Sequence, residues 1–133
     1  MAWNDKQTTK NRHFGQAFRH ALAGIVALVR HERNARADLV CGCCAIILGL
    51  IVHLSWQRWL VLGVTILIVF AAEAVNTAIE RLADSLAGGR YMQGIGDAKD
   101  LAAGAVLLIC LGALLVALWV FGPSLLQIGK QFI

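Results

Sequence analysis

From Trp59 to Ala72 the chain carries no charge and a single hydroxyl, on Thr65. Two further apolar runs flank this one: Leu39 to Leu54, and Leu101 to Phe121, the latter 21 residues without a charge. A helix needs about 20 apolar residues to cross a bilayer. The three runs therefore predict three transmembrane helices, over 36–56, 59–86 and 98–121. The first is short, so it must extend into the Arg36–Asp38 collar or end near Trp56. Ahead of it, Phe14, Phe18, Leu22, Ile25, Leu28 and Val29 recur at steps of three and four. Arg12, Gln16, Arg19, His20 and Arg30 fall on the other side. That pattern predicts an amphipathic helix over 13–31 lying on the membrane surface. Residues 1–12 are polar and read as a loose tail. The expectation is a single all-α membrane domain, 1–133.

The polar residues between these runs mark the turns. Ser55-Trp56-Gln57-Arg58-Trp59 reads as a tight turn with two interfacial Trp residues. Residues 86–96 hold four glycines and read as a loop. Asp97 is placed to cap the third span, with Asp100 in its first turn. Gly122-Pro123 is expected to end that span. Gly104 and Gly112 would let another helix approach closely.

Composition agrees with a membrane protein. The 133 residues are 59% hydrophobic and 15% charged, and their mean hydropathy is +0.69. Ordinary soluble domains carry about 25% charged residues. The net charge is +4, and its placement is informative. Seven of the twelve Lys and Arg lie at or before Arg36, and Arg81, Arg90 and Lys99 flank the gap between the last two spans. Positive residues stay in the cytoplasm, so the N-terminus and the 81–99 region are expected there. The basic residues flank spans and do not alternate with stacking aromatics, which excludes nucleic acid as the partner. No signal peptide is read. Cys41, Cys43, Cys44 and Cys110 lie in apolar runs, where small packing residues are expected.

The candidate chemistry lies at the end of the second span. Glu73, Asn76, Glu80 and Asp84 fall within roughly 80° of one another on a helix. They make a polar stripe among Ala, Val, Ile and Leu. A charge such as Glu73, at the end of an apolar run, needs partners or a task. Glu32, Asp38, Asp97 and Asp100 belong to the same membrane face, with Arg33, Arg36, Arg81, Arg90 and Lys99. Glu32 and Arg36 are four apart and could pair on one helix face. Acids beside bases at one bilayer surface suit Mg²⁺ and polyphosphate, since Mg²⁺ takes one or two carboxylates plus substrate phosphates.

At these residues the chain resembles a known family. Glu73-Ala-Val-Asn76-Thr-Ala-Ile-Glu80-Arg-Leu-Ala-Asp84 is similar to the signature of the small bacterial membrane diacylglycerol kinases. Ala98-Lys99-Asp100 and the apolar run behind it resemble their third helix. Glu32-Arg33-Asn34-x-Arg36 resembles the Gram-positive branch, whose members phosphorylate undecaprenol. The resemblance covers roughly residues 13 to 121. It implies a homotrimer with active sites between subunits, in which ATP–Mg²⁺ gives its γ-phosphate to the primary hydroxyl of a lipid. Residue by residue, it implies that Glu73 is the base on that hydroxyl. It makes Glu32 and Glu80 the Mg²⁺ ligands and Asn76 the group that positions the reactants. Lys99 and Asp100 then contact nucleotide, with Asp84 and Arg36 in support. Relatives often carry an acid or His-Pro where this chain has Gly88, Gly89, Arg90, Tyr91 and Met92. The competing expectation is a non-catalytic oligomer or ion-conducting channel with an acidic vestibule.

Overall fold

The computed structural model describes residues 14–90 and 92–130. The described residues form four α-helices and no strand: α1 (Phe14–His31), α2 (Arg33–Ile51), α3 (Trp56–Ala87) and α4 (Gln93–Lys130). The expected tail, His13 and Tyr91 lie outside the described residues. Three of the helices are long and apolar enough to cross a membrane: α2, α3, and α4 over Gln93–Gln127. On α1 the apolar residues Phe14, Phe18, Leu22 and Ile25 are exposed.

Several boundaries differ from those read in the sequence. α2 absorbs the charged collar and starts at Arg33. α1 and α2 are separated only by Glu32, whose extended backbone (φ −100°, ψ 126°) interrupts the helix. Glu32 therefore stands outside α2 and does not pair with Arg36. The Arg36 Nη1 instead donates to the carbonyls of Arg30 (3.0 Å) and Val29 (3.5 Å). These are among the carbonyls that a helix end leaves without partners.

The turn between α2 and α3 is Val52–Ser55, shorter than expected, and Trp56 to Trp59 already belong to α3. Trp59 is half-buried. It packs with Leu48, Ile66 and Val116 against the core cluster of Leu54, Leu62, Val120 and Phe121. The core thus sits at the α2–α3 turn, at the opposite end of α3 from its carboxylates.

α4 starts at Gln93, so Asp97 is inside the helix and does not cap it. Gly94 and Gly96 are helical too, so the loop read over 86–96 loses residues 93–96 to α4 and 86–87 to α3. Gly88 and Gly89 (φ +53° and +79°) make the left-handed turn out of α3 that side chains resist. Nor does Pro123 end α4, which runs on to Lys130. Proline removes a helical N–H, but in membrane helices neighbouring groups offset such losses. Here Arg58 braces the turn: its Nη1 donates to the Val120 carbonyl and to Ser124 Oγ, each at 3.3 Å. Its guanidinium also lies 5.9 Å from the centre of the Trp119 ring.

Within the single chain a close helix approach falls on α2, while Gly104 and Gly112 have open space around them. A Cβ on Gly42 would meet Ile66 at 3.2 Å, and one on Gly49 would meet Trp59 at 2.9 Å. Cys41, Cys43 and Cys44 are exposed rather than packed, and Cys110 is half-buried. In a single chain the outer face of α2 has no protein to pack against.

Gly49→Ala is expected to overpack the contact with Trp59 and lower stability by about 1–3 kcal/mol. Gly63→Ala, with nothing within 4 Å, is expected to be neutral or to stabilise by up to about 1 kcal/mol through helix propensity. Thermal unfolding in detergent micelles compares the two.

Candidate active site

α3 is 32 residues long, about 48 Å at 1.5 Å per residue. That exceeds the roughly 30 Å hydrocarbon core. Its polar stripe falls in the last half and grades from dry to wet. Glu73 (4% exposed) and Asn76 (6%) are buried, Glu80 is half-buried and Asp84 is exposed. Four residues at successive helical turns thus run from an apolar environment into water.

Buried Glu73 has polar company. The Asn34 side chain of α2 approaches its carboxylate, and Asp38, Glu80 and Glu32 lie within Coulombic range of it. Asn76 Nδ2 donates to Glu80 Oε1 at 3.1 Å, linking adjacent turns of the stripe. The Asn76 Oδ1 is buried with no hydrogen-bond partner. A buried acceptor left unpaired costs about 1–3 kcal/mol, so this oxygen is available to a water, an ion or a ligand atom.

Two ion pairs close the wet end. The Arg81 Nη2 donates to Glu32 Oε1 at 2.7 Å, joining the α1–α2 break to α3. The Lys99 Nζ donates to Asp84 Oδ1 at 2.8 Å, joining α4 to α3. Of the residues singled out in the sequence, Glu32, Glu73, Asn76, Glu80, Asp84 and Lys99 are drawn together. Asp100 is exposed beside Lys99 on α4, and Arg36 serves the end of α1. Sequence reading missed Arg81 as the partner of Glu32, and Asn34 and Asp38 as neighbours of Glu73. The last two carried a signal, since residues four apart share a helix face.

Among the described residues, no three His, Cys, Asp or Glu side chains are gathered so as to hold a metal by themselves. The donor set is nonetheless all oxygen: the Glu80 and Glu32 carboxylates and the orphaned Asn76 amide oxygen. It fits a hard cation such as Mg²⁺ that arrives with phosphate oxygens.

Comparison with known proteins decides the family. Residues 19–121 match the model of the family described as prokaryotic diacylglycerol kinase. The chain belongs to that family. An undecaprenol kinase from Bacillus subtilis is 34% identical over 125 residues, covering 94% of this chain and all of the relative. A diacylglycerol kinase from Synechocystis sp. is 35% identical over 112 residues, covering 84% of this chain and 64% of the relative. As a member of the family the chain is a lipid kinase. The matched region contains every candidate residue from Glu32 to Asp100.

Asn76→Ala removes a hydrogen bond worth about 1 kcal/mol together with the orphaned acceptor. Stability is therefore expected to hold or rise. Kinase turnover is expected to fall by roughly 10²-fold through misplaced groups. Unfolding and turnover measured on the same preparation check both.

Proposed function

We propose that the chain transfers the γ-phosphate of Mg²⁺-ATP to the primary hydroxyl of a membrane lipid at the cytoplasmic surface of the bacterial inner membrane. One observation carries this reading: the acids of α3 pass from buried to exposed along one face, and at the wet end α3 meets Glu32 of the α1–α2 break through Arg81 and Lys99 of α4 through Asp84. A lipid alcohol and a water-borne nucleotide can meet only at such a boundary. The basic N-terminal third and Arg81, Arg90 and Lys99 support a cytoplasmic site and N-terminus. The exposed apolar side of α1, with Phe14, Phe18 and Leu22, supports a helix lying in the membrane interface.

In this reading Glu73 takes the proton from the lipid hydroxyl as its oxygen bonds to the γ-phosphorus. The bond from that phosphorus to the bridging oxygen breaks, and ADP leaves. Phosphoryl transfer asks mainly for in-line placement and charge neutralisation, and bound Mg²⁺ supplies neutralisation on the phosphates. Glu80 and Glu32 would hold the cation, and the Asn76 amide oxygen would turn to the reacting groups. Lys99 would leave Asp84 for a phosphate oxygen, while Asp100 contacts nucleotide. Glu73 and Glu80 are about 10 Å apart along the helix axis, which keeps the base on the lipid side and the metal ligand on the phosphate side.

The chain exposes apolar side chains along both α3 and α4, including Leu67, Val75, Leu108 and Leu115. We read part of this surface as the contact between copies in a homotrimer, which would complete each site. Between the two lipid classes, we place the polyprenol first. The relative matched along its whole length is an undecaprenol kinase, and the Glu32-Arg33-Asn34-x-Arg36 segment resembles that branch.

Purified protein in lipid is expected to phosphorylate undecaprenol faster than diacylglycerol when the two are compared at equal mole fraction. Glu73→Gln is expected to lower turnover by about 10²–10⁴-fold while nucleotide still binds. Near-normal turnover in that variant would remove Glu73 from the role of base.

A further inference from the structure

Arg81 has no part in the scheme above, yet it is bonded to one of the two acids assigned to the cation. Its Nη2 meets Glu32 Oε1 at 2.7 Å. The bond uses one oxygen and one nitrogen, so Glu32 Oε2 and Arg81 Nη1 have no other partner among the described hydrogen bonds. Glu32 occupies the N-cap position of α2 but makes no side-chain cap. An acid there ordinarily accepts from the first backbone N–H groups. Here the carboxylate is turned to α3 instead.

The pair is also easy to exchange. The Arg81 and Glu32 side chains are 39% and 30% exposed, and ion pairs so open to water are weak. Arg81 lines a groove between α1 and α3, with Gly24, Ile25 and Ala78, which leaves the guanidinium room to turn. Its guanidinium is a cation bonded directly to one of the acids that surround Glu73. On the same helix Asn76 Oδ1 is buried without a hydrogen-bond partner, and its amide nitrogen is bonded to Glu80, the other acid assigned to the cation.

We propose that Arg81 is a positioning residue that couples cation binding to nucleotide binding, holding Glu32 in the free enzyme and trading that carboxylate for a nucleotide phosphate oxygen. The exchange rests on the reading of Glu32 as a cation ligand. A guanidinium suits it, because its fork matches phosphate as well as carboxylate. Without nucleotide, a divalent cation must displace Arg81 from Glu32. With nucleotide, the phosphates draw Arg81 away and Glu32 is free. Coupling of this kind is reciprocal, so the cation also tightens nucleotide binding.

The test uses the full chain in lipid nanodiscs, with Mn²⁺ as the spectroscopic probe and a non-hydrolysable ATP analogue. Arg81→Ala is expected to tighten nucleotide-free Mn²⁺ binding by about fivefold or more, and to shrink the further gain given by the analogue. Arg81→Lys, which keeps the charge but not the fork, is expected to fall between. In a Glu32→Gln background, Arg81→Ala is expected to leave nucleotide-free Mn²⁺ binding unchanged, since that effect runs through the carboxylate. Unchanged or weaker Mn²⁺ binding in Arg81→Ala would overturn the proposal. So would an equal shift in both backgrounds, which reports only the general field of a lost charge. If Glu32→Gln leaves Mn²⁺ affinity untouched with the analogue present, the cation-ligand reading itself fails and the exchange falls with it.

Discussion

Glu73 is a carboxylate set into the apolar stretch of a helix with almost no exposure, and the rest of the site answers to that fact. Removing a carboxylate from water is expensive unless hydrogen bonds or opposite charge offset it. In this chain α2 brings the Asn34 side chain to the carboxylate as such an offset. Asp38, Glu80 and Glu32 add negative charge around Glu73, which no scaffold would gather for stability alone. Such an arrangement fits a site whose cation and polyphosphate arrive together.

The fold keeps this site away from its own core. The apolar cluster of Leu54, Leu62, Val120 and Phe121 lies by the α2–α3 turn, where Gly49 admits Trp59 and Arg58 braces α4 around Pro123. α3 links the two ends as one unbroken helix. From Trp56 to Glu73 is about 26 Å of axial rise, close to the thickness of the hydrocarbon core. Core packing at one end of α3 therefore fixes how far along the helix Glu73 stands from it. Contacts at the site end are mostly polar and partly exposed, as expected where groups must exchange partners during turnover.

Much of this was legible in the chain. Long apolar runs announce membrane helices because a bilayer offers the backbone no other partner, and the stripe from Glu73 to Asp84 follows from helical spacing alone. Misread features were those settled by local competition. Asp97 looks like a cap, but helix formation continues four residues earlier, to Gln93. Pro123 looks like a stop, but α4 continues past it with Arg58 against its backbone. Glu32 and Arg36 look like a helical pair, but the chain leaves helical geometry at Glu32 and gives its carboxylate to Arg81. That last contact joins residues 49 apart in sequence, and no periodicity encodes it. The roles proposed for Glu32, Lys99 and Asp100 rest on the family motif, because spacing says which residues share a face and not what they bind.

An experimental structure of the protein in lipid, bound to Mg²⁺ and a non-hydrolysable ATP analogue, tests the central claim most directly. The account predicts the triphosphate at the wet end of the α3 stripe, with the metal among Glu32, Glu80 and phosphate oxygens and Glu73 facing the lipid side. A nucleotide bound away from Glu80 and Lys99, or a metal sharing no ligand with Glu32 or Glu80, would contradict it.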